Sequence, residues 1–200
     1  MVYISKVYTK FGDGGDTMLA SGETVGKDSL RVAAYGHVDE LNATVGLVRL
    51  EISRVATPGG RGRALLEQLD ESLARVQQEL FDLGAELAEP GAVAGEARLK
   101  VDDADVSRLE RELDALNEDL APLRSFVLPG GGPVGVTCHL ARTVCRRAER
   151  AAVALARHEP VRQEALRYLN RLGDLLFVAA RAAAHELGHG EVLWDQRRKE

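Results

Sequence analysis

The chain has 200 residues, 45% of them hydrophobic and 28% charged, the profile of one soluble globular domain rather than a fibrous or disordered chain. Its 26 Lys and Arg stand against 31 Asp and Glu, a formal net charge of −5, so no global positive field can hold nucleic acid or an acidic membrane, and any anion has to be met by a local cluster. With 4% aromatics and a dominance of Leu, Ala and Arg, the composition favours helix and argues against an all-β fold.

Residues Met1 to Lys6 lack the continuous apolar stretch of a secretory signal, and acidic residues from Asp13 onwards are foreign to a transit peptide, so the mature chain is expected to start where the sequence does. No run of about 18 apolar residues occurs, since even Leu175 to Ala184 is broken by Arg181, and no membrane span is expected. Cys138 and Cys145 are about 10 Å apart along a helix axis, too far for a disulfide, and are expected as reduced thiols of a cytoplasmic protein.

In chain order, a glycine-rich polar stretch from Tyr8 to Gly26 reads as a loop, with strand-like alternation confined to Val2 to Val7. Asp28 is placed to N-cap a helix running to about Arg54, whose end Pro58-Gly59-Gly60 marks. Leu66, Leu69, Leu73, Val76, Leu80, Leu83 and Leu87 alternate spacings of three and four, a coiled-coil-like seam that stops before Pro90-Gly91. After a surface loop over 91–100, Asp102 or Asp103 caps a shorter helix with Val106, Leu109, Leu113, Leu116 and Leu120 inward, ending before Pro122. A fourth helix follows Pro129-Gly130-Gly131-Gly132 and runs to about His158. Beyond Pro160 a fifth carries Leu169, Leu172, Leu176, Ala180, Ala183 and Leu187 as its stripe. The fold expected is all-α, an antiparallel five-helix bundle over 28–190, preceded by the loop segment 1–27 and followed by a tail, 191–200, in one domain.

Three features carry candidate chemistry. In the loop, glycines let backbone N–H groups approach a ligand, hydroxyls donate further bonds and Lys10 adds a point charge, which suits a polyphosphate, with Asp13 and Asp16 able to hold Mg²⁺ or orient the loop. It is not a P-loop, because Gly22 and Gly26 enclose three residues where Walker A needs four and Asp28 replaces the metal-binding hydroxyl. The same composition also describes a mobile terminal arm. In the fourth helix, Arg142, Arg146 and Glu149 share one face, with Arg147 about 100° round from Arg146; Asn170 and Asp174 share a face of the fifth, and Asp39 and Asn42 of the first. Such a stripe is either a solvated face or a site where charge is paired or ligand-bound, and polar groups in mid-helix on three helices favour the site. Finally, His185-Glu186-Leu187-Gly188-His189 fits H-E-x-x-H, but Gly188 weakens the helix, Val192 fails the extended signature and no third zinc ligand is in reach. A di-iron bundle fails for want of a second Glu-x-x-His pair. No protein-bound metal is expected.

The loop Thr9 to Thr17, the stretch Arg31 to Asn42, the turn Phe126-Val127-Leu128-Pro129-Gly130-Gly131, the helix Arg142 to Glu149 and Tyr168 to Asp174 together resemble, in order and across nearly the whole chain, the PduO-type cob(I)alamin adenosyltransferases. The resemblance implies a homotrimer of five-helix bundles with ATP and corrinoid meeting between subunits. Co(I) of the corrinoid would attack C5′ of ATP, giving adenosylcobalamin and releasing triphosphate, with Mg²⁺ on the phosphates. It implies that Thr9, Lys10, Gly12, Asp13 and Thr17, with Gly15 in the same loop, hold ATP and that Lys27 reaches its phosphates. Arg142, Arg146 and Glu149 would line the pocket with Asn170 and Asp174 alongside. Asp39 would pair with Arg142 across the interface, and Phe126 would crowd the lower face of the corrin, completing a catalytic set of Arg142, Arg146, Asp39 and Phe126. Phe11, His37 and Gly173 depart from the family pattern. An electron-donating reductase and an adenosylcobalamin-dependent client are the implied partners. A non-catalytic adenosylcobalamin carrier would keep the same pockets without turnover, and a helical scaffold only the bundle.

Overall fold

A computed structural model describes residue 8 and residues 10–56, 60–90 and 99–195. Five helices make up the body: α1 Leu30–Arg54, α2 Arg61–Leu87, α3 Asp103–Asn117, α4 Gly132–Ala156 and α5 Gln163–Glu186. The fold is the expected helical bundle. The seam of α2 is buried from Leu66 to Leu87 as its spacing requires, and meets Val38, Leu41, Val45 and Val48 of α1 and Leu169, Leu172 and Leu176 of α5 in one core. α1 packs between α2 and α4, while α5 packs between α4 and α3.

One end of the bundle shows the antiparallel arrangement directly. Arg31, at the start of α1 and 3% exposed, donates to the carbonyl of Leu87 at the end of α2 at 2.6 Å and to Glu159 beyond α4 at 2.5 Å. Glu86 of the same α2 end accepts from the N–H of Val101 and from Arg162, just before α3 and α5. Burial raises the Glu86 carboxyl above its ordinary range, with Arg162 opposing.

Several boundaries correct the sequence reading. Ser29, not Asp28, caps α1, its Oγ accepting from the Val32 N–H; the Asp28 carboxylate is turned back over Gly26, where a Cβ would lie 2.6 Å from its oxygen. Of the two cap candidates for α3, Asp102 is the cap, in a full capping box with Asp105, and the helix ends at Asn117, short of Leu120. α4 stops at Ala156, two residues short of His158. The loop segment is not strand-free either. A single 3₁₀ turn, Phe11–Gly14, leads into an antiparallel hairpin, β1 Asp16–Met18 with β2 Thr24–Gly26. Val2–Val7, Pro58-Gly59 and most of the 91–100 loop lie outside the described residues.

The H-E-x-x-H match dissolves at the end of α5. Gly188 adopts φ +71° and the N–H of His189 returns to the carbonyl of Ala184 at 2.9 Å, a Schellman ending that takes His189 off the helix. His189 lies instead against Gly132, where a Cβ would stand 2.2 Å from its ring. Among the described residues no group of three metal-ligating side chains comes together. No helix among them is long and apolar enough to cross a membrane.

Candidate functional site

The nucleotide-loop candidates form a compact unit. Lys10, with φ 61°, is the one described non-glycine residue in the left-handed region, and Gly15 at φ 95° closes the 3₁₀ turn. Backbone bonds from Asp13 to Lys10 and from Gly15 to Gly12 hold the turn, while the Lys27 N–H donates to Gly15 at 2.8 Å. The Lys27 ammonium folds back onto the Gly12 carbonyl at 2.6 Å, so this cation is parked on the loop it was expected to serve. Lys10, Asp13, Gly15 and Asp16 are exposed, and Gly12 and Thr17 partly so. Thr9 lies outside the described residues. Leu19 is buried, and the Ala20 N–H reaches Ala88 at 3.4 Å, tying the hairpin to the α2 end of the body.

On α4 the arginines are drawn together as their spacing requires, and two are incompletely satisfied. The Arg142 guanidinium lies 5.8 Å from the centre of the Phe177 ring, and its buried Nε, like that of Arg147, has no hydrogen-bond partner among the described residues. Burial first, and then the neighbouring Arg146, push its pKa below the ordinary arginine value. Arg146 is exposed, its stem running past Gly173 of α5. Arg147 points to the other side, where Glu40 of α1 meets it at 2.5 Å, and this bond holds the Glu40 carboxyl below the usual range. Glu149 accepts from Asn170 at 3.0 Å, and Asn170 in turn accepts from Arg171 at 2.7 Å. Asp174 is exposed one turn further along α5.

Asp39 is not brought to Arg142 within the chain. It is exposed on α1, at the edge of an apolar recess of about 270 Å³ lined by Tyr35, Val38, Leu80 and Phe81, on the α2 side of the helix. Asn42, grouped with it by spacing, has a structural role: it is buried and exchanges hydrogen bonds with the Gln77 backbone and side chain.

Phe126 is 75% exposed at the mouth of a cavity of about 570 Å³ whose wall includes Leu123, Val127, Arg142 and Phe177. The wedge candidate and Arg142, the first residue of the arginine stripe, thus face one space. Sequence reasoning missed Phe177, which sits beneath Arg142, and His139, whose ring is 6.0 Å from Phe177 and whose buried Nδ1 has no hydrogen-bond partner among the described residues. It also missed Trp194, 6.1 Å from Phe126. The usable signal was rarity, since the chain has one Trp and four Phe.

Residues 7–183 match the family described as cobalamin adenosyltransferase. The chain is 42% identical over 191 residues to the corrinoid adenosyltransferase of Bacillus subtilis strain 168, covering 96% of this chain and 93% of that one. It is 41% identical over 196 residues to the cobalamin adenosyltransferase of Cupriavidus metallidurans, covering 98% and 97%. A Phe-to-Ala variant of the PduO-type ATP:corrinoid adenosyltransferase from Lactobacillus reuteri, solved with cobalamin and ATP, superposes with a TM-score of 0.84 at 35% identity, over 96% of this chain and all of that one.

Proposed function

The chain belongs to the cobalamin adenosyltransferase family, and on that premise we propose that it is an ATP:corrinoid adenosyltransferase that moves the 5′-deoxyadenosyl group of ATP onto cob(I)alamin. The observation that carries the reading is the shared cavity: Phe126 at its mouth, with Arg142 in its wall above Phe177 and Arg146 one turn along the helix. It joins an apolar surface suited to a corrin with cations suited to a polyphosphate.

In the reaction, the Co(I) electron pair forms a cobalt–carbon bond to C5′, the C5′–O bond breaks and the triphosphate leaves with its electrons. No general base is required, because the nucleophile carries no proton. The cost lies in the negative charge growing on the leaving triphosphate, which Arg142, Arg146 and Lys10 stabilise electrostatically. Lys27 reaches the phosphates by exchanging the Gly12 carbonyl for them. Gly12, Asp13, Gly15, Thr17 and Thr9 wrap the nucleotide, while Glu149, Asn170 and Asp174 hold its pocket in shape. The exposed Asp13 and Asp16 would hold Mg²⁺, which would neutralise phosphate charge on the substrate. Phe126 crowds the lower face of the corrin and disfavours axial ligation, which eases reduction of Co(II) to Co(I) by an external reductase.

The working form proposed is a homotrimer in which the whole chain acts as one unit. The hairpin is tied to the end of α2, Asp39 borders the recess between α1 and α2, and the arginine stripe is on α4, beyond α1; this arrangement supports a site completed by a neighbouring subunit. Asp39 of one chain then pairs with Arg142 of the next, giving the half-buried guanidinium its missing acceptor. The cytoplasm is the compartment this reading implies, supported by two buried free thiols; burial pushes Cys138 up to about 12. An adenosylcobalamin-dependent enzyme is the expected client.

An anaerobic incubation with ATP, Mg²⁺ and chemically reduced cobalamin tests the reaction. It should give a photolabile cobalt–carbon bond and one inorganic triphosphate per adenosyl group. ADP or AMP as the nucleotide product would overturn the reading.

A further inference from the structure

Residues beyond α5 were expected to be a tail, yet 191–194 are built into the fold. Arg181, 6% exposed among the alanines of α5, donates through Nε and Nη2 to the two carboxylate oxygens of Glu191 at 2.8 and 3.3 Å. Its Nη2 also donates to the Ala121 carbonyl at 2.8 Å. One buried cation therefore ties the segment leading into Phe126 to the segment that follows the bundle.

From Glu191 onwards the strap runs antiparallel to the Phe126 segment. The Leu128 N–H donates to Val192 at 2.8 Å and the Trp194 N–H to Phe126 at 2.7 Å, with Val127 and Leu193 bridged between them. Ser125 Oγ donates to the Trp194 carbonyl at 2.8 Å, and the Trp194 ring tilts at 46° against Phe126. An aromatic ring so exposed is held mainly by the backbone that carries it. Here that backbone is paired with the strap, and the strap is fastened by Arg181.

We propose that Arg181 and Glu191 are positioning residues for the transfer reaction: their ion pair fixes the 191–194 strap against 125–128 and so sets Phe126 over the cavity lined by Arg142 and Phe177. The role assigned to Phe126 rests on the wedge reading above. Neither Arg181 nor Glu191 touches substrate, and both act through the strap. Releasing the pair frees the strap, lets Phe126 swing, and slows the reductive step while leaving nucleotide binding and alkyl transfer in place.

The full-length chain offers its own reporter, because Trp194 is the only tryptophan. In Glu191→Gln, Trp194 emission should shift to the red and acrylamide should quench it more. Turnover from cob(II)alamin with a reductant should fall about tenfold, while turnover from ready-made cob(I)alamin and the KM for ATP stay within about twofold. Arg181→Lys, which keeps the charge but loses the two-pronged geometry, should fall between wild type and Glu191→Gln, and Glu191→Asp should recover part of the loss. Unchanged Trp194 quenching in Glu191→Gln overturns the ion pair as the fastening. Released Trp194 with both turnover rates intact, or equal losses in both, overturns the link to Phe126. Phe126→Ala is measured alongside: if it shows no difference between the two cobalt assays, the wedge reading fails and takes the catalytic half of the proposal with it, whereas the Trp194 signal still reads the fastening.

Discussion

Arg142 holds a cation half out of water with its Nε lacking an acceptor among the described residues, an arrangement that costs free energy unless a ligand or a neighbouring subunit supplies the partner. Arg147 shares the orphaned Nε, but its Nη2 is engaged by Glu40, whereas the Arg142 guanidinium meets the Phe177 ring and the cavity wall, and it is this that marks Arg142 as functional. Replacing Arg142 or Arg146 by Ala should cost at least about 2 kcal/mol of transition-state stabilisation in kcat/KM, with little change in Tm. Unfolding of both variants with full activity in the residual folded protein would assign them to structure. His139 makes a second claim at this scale. Burial, and then Arg142, lower its pKa below the ordinary 6.5, with Glu191 opposing and the Phe177 ring packed beside it. The folded state therefore keeps the neutral imidazole while the unfolded chain takes up a proton. Stability is full above about 6.5 and is lost as pH falls below that value. Tm should decline between about pH 7 and pH 5.5, and less steeply in His139→Gln; parallel slopes would contradict it.

Elements with strong periodicity were legible from the chain alone. The α3 cap was narrowed only to Asp102 or Asp103, whereas the Leu66–Leu87 seam repeats over enough residues to be read without tertiary information. The hairpin was not, because three-residue strands inside a glycine-rich segment are too short to show alternation and depend on pairing for their existence. Nor was the 191–194 strap, whose order comes from a buried arginine ten residues earlier and from a loop far away in sequence. The turn into α4 is similar. Gly131-Gly132 reads as punctuation, but Gly132 holds φ +74° with His189 packed where a side chain would go. Gly132→Ala combines left-handed strain with a clash and should destabilise by at least about 2 kcal/mol, read as a lower Tm. An unchanged Tm would mean that the α5 ending and the turn are not packed together.

At the scale of the whole molecule, the site read from sequence divides into parts. Glu149 and Asn170 meet across α4 and α5, and Phe126 and Arg142 share a cavity, as shared helix faces and motif order allowed one to expect. The hairpin is fastened to the end of α2 and Asp39 borders the recess between α1 and α2, while α1 stands between α2 and α4. Helix periodicity fixes which residues share a face but not which subunit's face they meet, so this part rested on resemblance. The composite site is the central claim, and mixed oligomers test it. Lys10→Ala/Lys27→Ala chains and Arg146→Ala chains, each inactive alone, are unfolded together in equal amounts and refolded, and adenosylcobalamin and triphosphate are measured. If loop and arginine come from different subunits, about one quarter of the sites combine two intact halves and that share of wild-type activity should return. If both halves come from one chain, no site is intact, and a mixture as inactive as its components would contradict the account.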